Sequence, residues 1–276
     1  ANEIYLKVGD KTIPLSGKWK YKVSASNSDF DFVEYGPNAY PSLLYNAMVN
    51  PLVGLSMQGV IWYQGENNTN RAKEYYHLFP AMINDWRKKW GKDFPFYWVQ
   101  LANYMDVVEV PSESLWAQVR EAQTQTLSLS HTGQAVIIDI GEAKDIHPKN
   151  KQEVGRRLAL HALHNDYGFS DVVCESPMPK TVRRVQDKIV VQFDNVADGL
   201  IVKNKYGYLM SFAVAGNDGV YKWVQAKVAG KDRVVLSCPD VIDPVSVRYA
   251  WGDNPDDANL YNSVGLPATP FEIKIE

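Results

Sequence analysis

Cysteine is nearly absent: Cys174 and Cys238 are the only two in 276 residues. Two are too few for a disulfide framework, and neither has the Cys-x-x-Cys spacing of a metal or redox site. One bridge or two buried thiols remain as readings. Long apolar runs are missing too, none approaching the roughly 20 residues of a membrane-spanning helix, so no membrane partner is expected. Nor is there an excess of positive charge: 29 Lys and Arg face 32 Asp and Glu, net -3. No basic stripe crosses the aromatics, and nucleic acid is therefore not an expected partner. The opening Ala1 to Val8 lacks the charged start and long apolar centre of a signal peptide. It reads instead as a strand entered in mid-course, as in a chain that begins inside a larger protein. There is no internal repeat and no low-complexity tract.

What the chain does have is aromatic surface, with 16 Tyr and 8 Trp. Such a surplus lines sugar-binding clefts or, more commonly, fills a core. The length allows one large or two smaller domains. Residues 4–23 suggest short β segments, IYLKV and WKYKV around Ser16-Gly17, and residues 24–41 read as a linker. A short helix stopped near Pro51 leads to a strand over residues 59–63. From Arg71, Tyr75, Leu78, Phe79, Met82, Ile83 and Trp86 recur at helical spacing, and Gly91 closes that helix. A strand follows over residues 96–101, then a helix from Ser112 or Ser114. The continuous apolar run Ala135 to Ile140 predicts a parallel strand covered on both faces, and a third helix carries Val154, Leu158 and Ala162. Alternating strands and helices are the pattern of a doubly wound α/β sheet, with its ligand site at the carboxyl ends of the strands. Beyond Pro177 and Pro179, β segments at 188–193, 199–202, 210–215, 220–224, 233–237 and 245–250 predict a small β-sandwich.

Three polar loops leave the carboxyl ends of the predicted parallel strands: Gln64-Gly65-Glu66-Asn67-Asn68, Asn103-Tyr104, and Asp145-Ile146-His147-Pro148. The fold brings them to one sheet edge, and this convergence is the functional signal. His147, two residues after Asp145, suits a general base whose partner orients the second ring nitrogen; the alternative is a solvated loop histidine that caps the next helix. Gly65 allows a close backbone approach to a ligand. Gln64 or an Asn amide is placed to donate to a developing oxyanion. Glu66 has three readings: orienting site groups, holding a sugar hydroxyl, or satisfying the loop backbone. His77, His131, His161 and His164 read as surface or core-edge residues, the i, i+3 pair 161/164 being a weak metal candidate. Ser56 precedes its strand and so lacks the geometry of an activated serine. Cys174 has no cation or helix N-terminus to lower its pKa. A nucleophile is missing.

Several blocks carry a resemblance: Leu44-Tyr45-Asn46-Ala47-Met48, Gly59 to Asn68, Asp145 to Pro148 with Lys151 to Leu158, Val247 to Trp251, Asn259 to Asn262, and Gly265 to Ala268. In this order they resemble the sialate O-acetylesterases, SGNH-type serine esterases. The resemblance implies an SGNH-hydrolase-like, flavodoxin-like parallel sheet with helices on both faces, followed by a C-terminal β-sandwich. It also implies removal of 9-O-acetyl groups from sialic acid without metal or cofactor, by an exported (secreted or periplasmic) enzyme. His147 matches the catalytic histidine, Asp145 is its expected partner, and Gln64 is the expected oxyanion donor. Gly65, Glu66, Asn67, Asn68 and Asn103 are the expected substrate-binding residues. Residues 1–23 match the end of a β-rich insertion, 24–41 a linker, 42–176 a partial hydrolase core and 177–276 the sandwich. Two departures stand out. The family's Gly-Gln-Ser-Asn-Met nucleophile block is missing, so the chain is expected to be inactive alone and to need a segment bearing the serine. The residue three before His147 is Lys144, where many SGNH enzymes have aspartate; Asp139, Glu142 or a backbone carbonyl are substitutes for Asp145. An acetylesterase acting on xylan or pectin units, or a non-catalytic carbohydrate-binding fragment, is the alternative function.

Overall fold

The computed structural model describes residues 5–18, 20, 36 and 40–276. The predicted WKYKV strand, apart from Lys20, and most of the 24–41 linker lie outside them. The chain divides into two compact units, residues 1–53 and 54–276. In the first, β1 (Tyr5–Val8) and β2 (Lys11–Pro14) form an antiparallel hairpin in which Tyr5 faces Pro14. The helix predicted before Pro51 is a π-helical turn, Tyr45–Val49, running into a 3-10 turn, Asn50–Leu52. Pro51 sits in the first turn of the latter, where a missing N–H costs nothing.

The second unit opens with β3 (Val60–Trp62), a 3-10 segment (Glu66–Arg71) and α1 (Ala72–Trp90). The helix buries Ala72, Tyr75, Phe79, Ile83 and Arg87, one face at the predicted spacing. Leu78, expected on that face, is 50% exposed. Next come β4 (Phe96–Val99), α2 (Leu115–Gln125), β5 (Thr132–Ala135) and α3 (Lys151–Asp166). Ser114 caps α2 by accepting from Ala117 N at 2.9 Å, and Asn150 caps α3 through Glu153 N. Strands β3, β4 and β5 form a parallel sheet in that order. Alternation along β4 decides what covers each face. Phe96 and Trp98 pack with Tyr75, Phe79 and Ile83 of α1 and with Trp116 and Val119 of α2, while Tyr97 and Val99 pack with Val154 and Leu158 of α3. Part of the aromatic surplus is spent here: Trp62, Trp86 and Trp98 form a chain of ring contacts with Phe79 and Phe96. Each fully buried ring contributes about 1.5–3 kcal/mol.

The predicted third strand is displaced. The paired residues are Thr132–Ala135, and the apolar run leaves the sheet after Ala135. Its continuous hydrophobicity has a different cause: Ile137 packs toward α3, whereas Val136 and Ile138 enter the core of the β-rich region that follows. That region contains β6 (Met178–Val185), β7 (Lys188–Asp194), β8 (Leu200–Val202), β9 (Phe212–Ala215) and β10 (Tyr221–Trp223). It continues with β11 (Gln225–Ala229), β12 (Arg233–Ser237), β13 (Ser246–Tyr249), β14 (Leu260–Asn262) and β15 (Phe271–Lys274). Two four-stranded antiparallel sheets, β10-β9-β13-β15 and β11-β12-β7-β6, enclose one core, with β14-β8 as a separate pair. The sequence reading omits β6, β11, β14 and β15. Pro177 and Pro179 read as a break before β6. Pro179 is tolerated because β6 is an edge strand with a register irregularity between Pro179 and Thr181.

Candidate active site

Gly65 ends β3's extension abruptly. At φ 153°, a Cβ would stand 3.1 Å from Leu101 Cδ2 and 3.2 Å from Gln123 Nε2, so both backbone and space demand glycine. The loop is then stitched down. Gln64 Nε2 donates to Asn68 Oδ1 at 2.8 Å, and Gln64 Oε1 accepts from the Tyr75 hydroxyl at 3.2 Å. Gln123 of α2 donates from Nε2 to the Gln64 carbonyl at 3.3 Å and accepts from Leu101 N at 3.0 Å. One amide thus joins the ends of β3 and β4. Asn67 is exposed and Asn68 half-buried.

Asn103 plays a corresponding part between the second and third loops. Its Oδ1 accepts from Gly141 N at 2.7 Å and its Nδ2 donates to Asn254 Oδ1 at 2.9 Å. Arg120 reinforces the same region. Fully buried, it donates to the carbonyls of Leu101, Ala102, Gly252 and Asp253 at 2.5–2.9 Å. Desolvation lowers its pKa to about 9, against the opposing pull of Asp253.

Above this frame lies a pocket of 230 Å³ lined by Tyr63, Glu66, Ile146, His147 and Lys151. It brings Glu66 and His147 together, with Gln64 and Gly65 in the same loop as Glu66. Asn103 is not in its lining. The His147 side chain is 84% exposed, with Nδ1 3.6 Å from Asp145 Oδ1. That oxygen accepts from the His147 backbone N–H at 2.9 Å, which holds the carboxylate beside the imidazole without a ring hydrogen bond. The substitutes are occupied. Asp139 binds Arg157 through both oxygens at 2.6 and 2.9 Å, and Glu142 pairs with Lys149 at 2.7 Å. Among the described residues Asp145 is the carboxylate within ion-pair reach of His147.

Two pocket residues lie within the blocks that carry the resemblance but receive no role from the sequence. Lys151 Nζ sits 4.5 Å from the Tyr63 ring centroid and 3.4 Å from its hydroxyl oxygen. Burial and the Glu66 charge push the Tyr63 phenol up to about 12, so it stays protonated. Tyr63 is hidden in sequence as the last member of an apolar run. Lys151 is hidden in the first turn of α3; its one signal is the four-residue spacing from His147.

The other candidates are spent elsewhere. Ser56 is exposed and precedes β3, at the end of the parallel sheet opposite His147. His161 donates from Nε2 to the Gln134 carbonyl at 3.1 Å, and His164 Nδ1 bonds the Val172 carbonyl at 2.8 Å. His131 pairs with Asp93 at 3.0 Å. Cys174 and Cys238 are buried free thiols, and burial pushes that of Cys174 up to about 11. Among the described residues no group of three or more His, Cys, Asp or Glu is placed to hold a metal. No helix among them is long and apolar enough to cross a membrane.

A family model described as carbohydrate esterase, sialic acid-specific acetylesterase, matches residues 28–164. Sialate O-acetylesterase from Homo sapiens is 31% identical over 264 residues, covering 86% of this chain and 49% of the relative. That of Rattus norvegicus is 31% identical over 278 residues, covering 88% and 50%. The chain therefore spans about half the length of these curated relatives. The crystal structure of a carbohydrate acetylesterase from Xanthomonas citri superposes with a TM-score of 0.80 at 45% identity, over 86% of this chain and 55% of that one. The chain belongs to the sialic acid-specific acetylesterase family of carbohydrate esterases.

Proposed function

We propose that this chain supplies the histidine and oxyanion-loop half of an exported serine esterase that removes O-acetyl groups from sialic acid. Residues 42–176 form the SGNH-type core in this reading, and 177–276 the accessory sandwich. The observation that carries it is the pocket in which the loops after β3 and β5 place Glu66, Tyr63, His147 and Lys151 at the carboxyl ends of parallel strands. The serine comes from a segment bearing the family's nucleophile block. A place for another strand exists: among the described residues β3 pairs with β4 alone, and Ile61 is 72% exposed.

In the reaction, His147 takes the serine proton as the oxygen attacks the acetyl carbonyl. The carbonyl π pair moves onto oxygen, and the Gln64 amide, which carries a second N–H besides the one given to Asn68, donates to that oxyanion. Collapse expels the sugar alkoxide, which takes the proton from His147. Water repeats the sequence on the acyl-enzyme and releases acetate. Asp145 moves from 3.6 Å into hydrogen-bond reach of Nδ1 as substrate closes the loop. Lys151 offers a cation to the sialate carboxylate.

Acetate release from 9-O-acetylated sialic acid, acetylated xylan and acetylated pectin is the test, using the protein with its serine-bearing segment. Preference for the sialic acid ester is expected, with no turnover by residues 1–276 alone. Preference for xylan or pectin assigns the other substrate class, and no turnover on any ester leaves carbohydrate binding as the function.

A further inference from the structure

We propose that the β-rich region carries a second carbohydrate site, for a neutral saccharide, in the cavity between the 107–109 loop and the 250–257 loop. The cavity measures 440 Å³, larger than the pocket around His147. One wall is Trp223, 43% exposed, whose indole N–H donates to the Glu109 carbonyl at 2.9 Å. That bond fixes the ring, and a fixed, half-exposed indole is a platform for the C–H face of a pyranose. The lining includes the acidic residues Glu109, Asp256 and Asp257. Carboxylates are acceptors only, and each takes two hydroxyl protons. Asp257 already accepts from the Ser211 hydroxyl; Asp256 is exposed. Apolar walls with a few acceptors are the make-up of a small-molecule site.

Charge selects the kind of sugar. Among the described residues the lining includes three acidic residues and no Lys, Arg or His, so it repels an anionic sialate. The pocket around His147 has the opposite character, with Lys151 in its wall. The two cavities therefore suit different parts of one glycan: the acidic sugar at His147 and a neutral sugar here.

Two features mark the cavity as built. Ser211 (φ 63°) and Ala250 (φ 50°) are left-handed non-glycine residues, joined by Ala250 N donating to Ser211 O at 3.0 Å, and both line it. Trp251, also in the lining, has a buried indole N–H with no hydrogen-bond partner among the described residues, an expensive state for a donor. The cavity is also held in register with the candidate active site. Asn254 donates to the Met105 carbonyl at 2.7 Å and accepts from Asn103, which in turn binds Gly141 N in the loop leading to His147.

The choice of a saccharide rests on the family reading, but the test is binding and needs no turnover. Lactose is titrated into the protein while tryptophan fluorescence is recorded. Saturable binding is expected with a Kd of roughly millimolar, weakened about tenfold or more by Trp223→Ala and by Asp256→Asn. Asp256→Asn is a near-isosteric change at an exposed position, so its effect is not one of misfolding. His147→Ala leaves lactose binding unchanged, and free N-acetylneuraminate does not compete. Absence of saturable binding, equal binding by wild type and both cavity variants, or loss of binding in His147→Ala overturns the proposal. Lactose binding without acetate release upholds it while refuting the esterase reading.

Discussion

Gly65→Ala is the substitution through which the candidate oxyanion loop is most open to test. Two costs add. At φ 153° an L side chain is strained, about 1–3 kcal/mol. The new methyl also meets Leu101 Cδ2 at 3.1 Å and Gln123 Nε2 at 3.2 Å in a packed interior, another 1–3 kcal/mol or so. Gly91 provides the control. It ends α1 at φ 63° with nothing within 4 Å of a Cβ, so Gly91→Ala carries only the backbone term, about 1–2 kcal/mol. Urea unfolding of both variants should place Gly65→Ala at a total loss of about 2–6 kcal/mol, exceeding Gly91→Ala by about 1–3 kcal/mol, the packing term, with the m-value unchanged. The Gln123 bonds to Gln64 and Leu101 should break with it, so acetate release by the serine-containing protein should fall for Gly65→Ala and not for Gly91→Ala. Equal destabilisation by the two variants, or full activity in Gly65→Ala, refutes the claim that this glycine shapes the loop.

Arg120→Met removes a donor from four carbonyls; Ala102 keeps Trp116 Nε1 and Asp253 keeps Tyr104 N, while those of Leu101 and Gly252 lose their guanidinium bond, and the change should cost about 3–5 kcal/mol in chemical unfolding. A loss under about 1 kcal/mol would mean water replaces the guanidinium. Burial lowers the His161 pKa, so below about pH 6.5 the unfolded chain binds a proton that the folded one refuses. Stability should therefore fall as pH drops through that value, and His161→Gln should remove this component; an unchanged pH profile contradicts it. Asp145→Asn should lower kcat with little change in KM if the carboxylate orients the imidazole, whereas equal kcat would assign Asp145 only to the backbone N–H of His147.

In the α/β part the order of strands and helices was legible because their signals are local: the face of α1, a helix start at Ser112 or Ser114, Gly91 as a stop. The displaced third strand was not, since Val136 and Ile138 are apolar for contacts with a core formed later in the chain. β14 and β15 were missed for a related reason, each being short and defined by distant partners, β8 and β13. At the site, the convergence of the β3 and β5 loops followed from topology alone. The roles of Gln123, Asn103 and Arg120 did not, because each acts through a long-range hydrogen bond to backbone or amide that no motif encodes. Lys151 joins the pocket through Tyr63, 88 residues away in sequence, its ammonium lying over the ring and donating to the hydroxyl.

Proton transfer by His147 in acetyl-ester cleavage is the step on which the proposed function rests. Its most direct test is the kcat for acetate release from 9-O-acetylated sialic acid by the serine-containing protein, before and after His147→Ala. The imidazole is exposed, so folding should be unaffected. A fall of about 10²–10⁴-fold in kcat with an unchanged unfolding midpoint is predicted; equal turnover by the variant would show that His147 does not carry the proton.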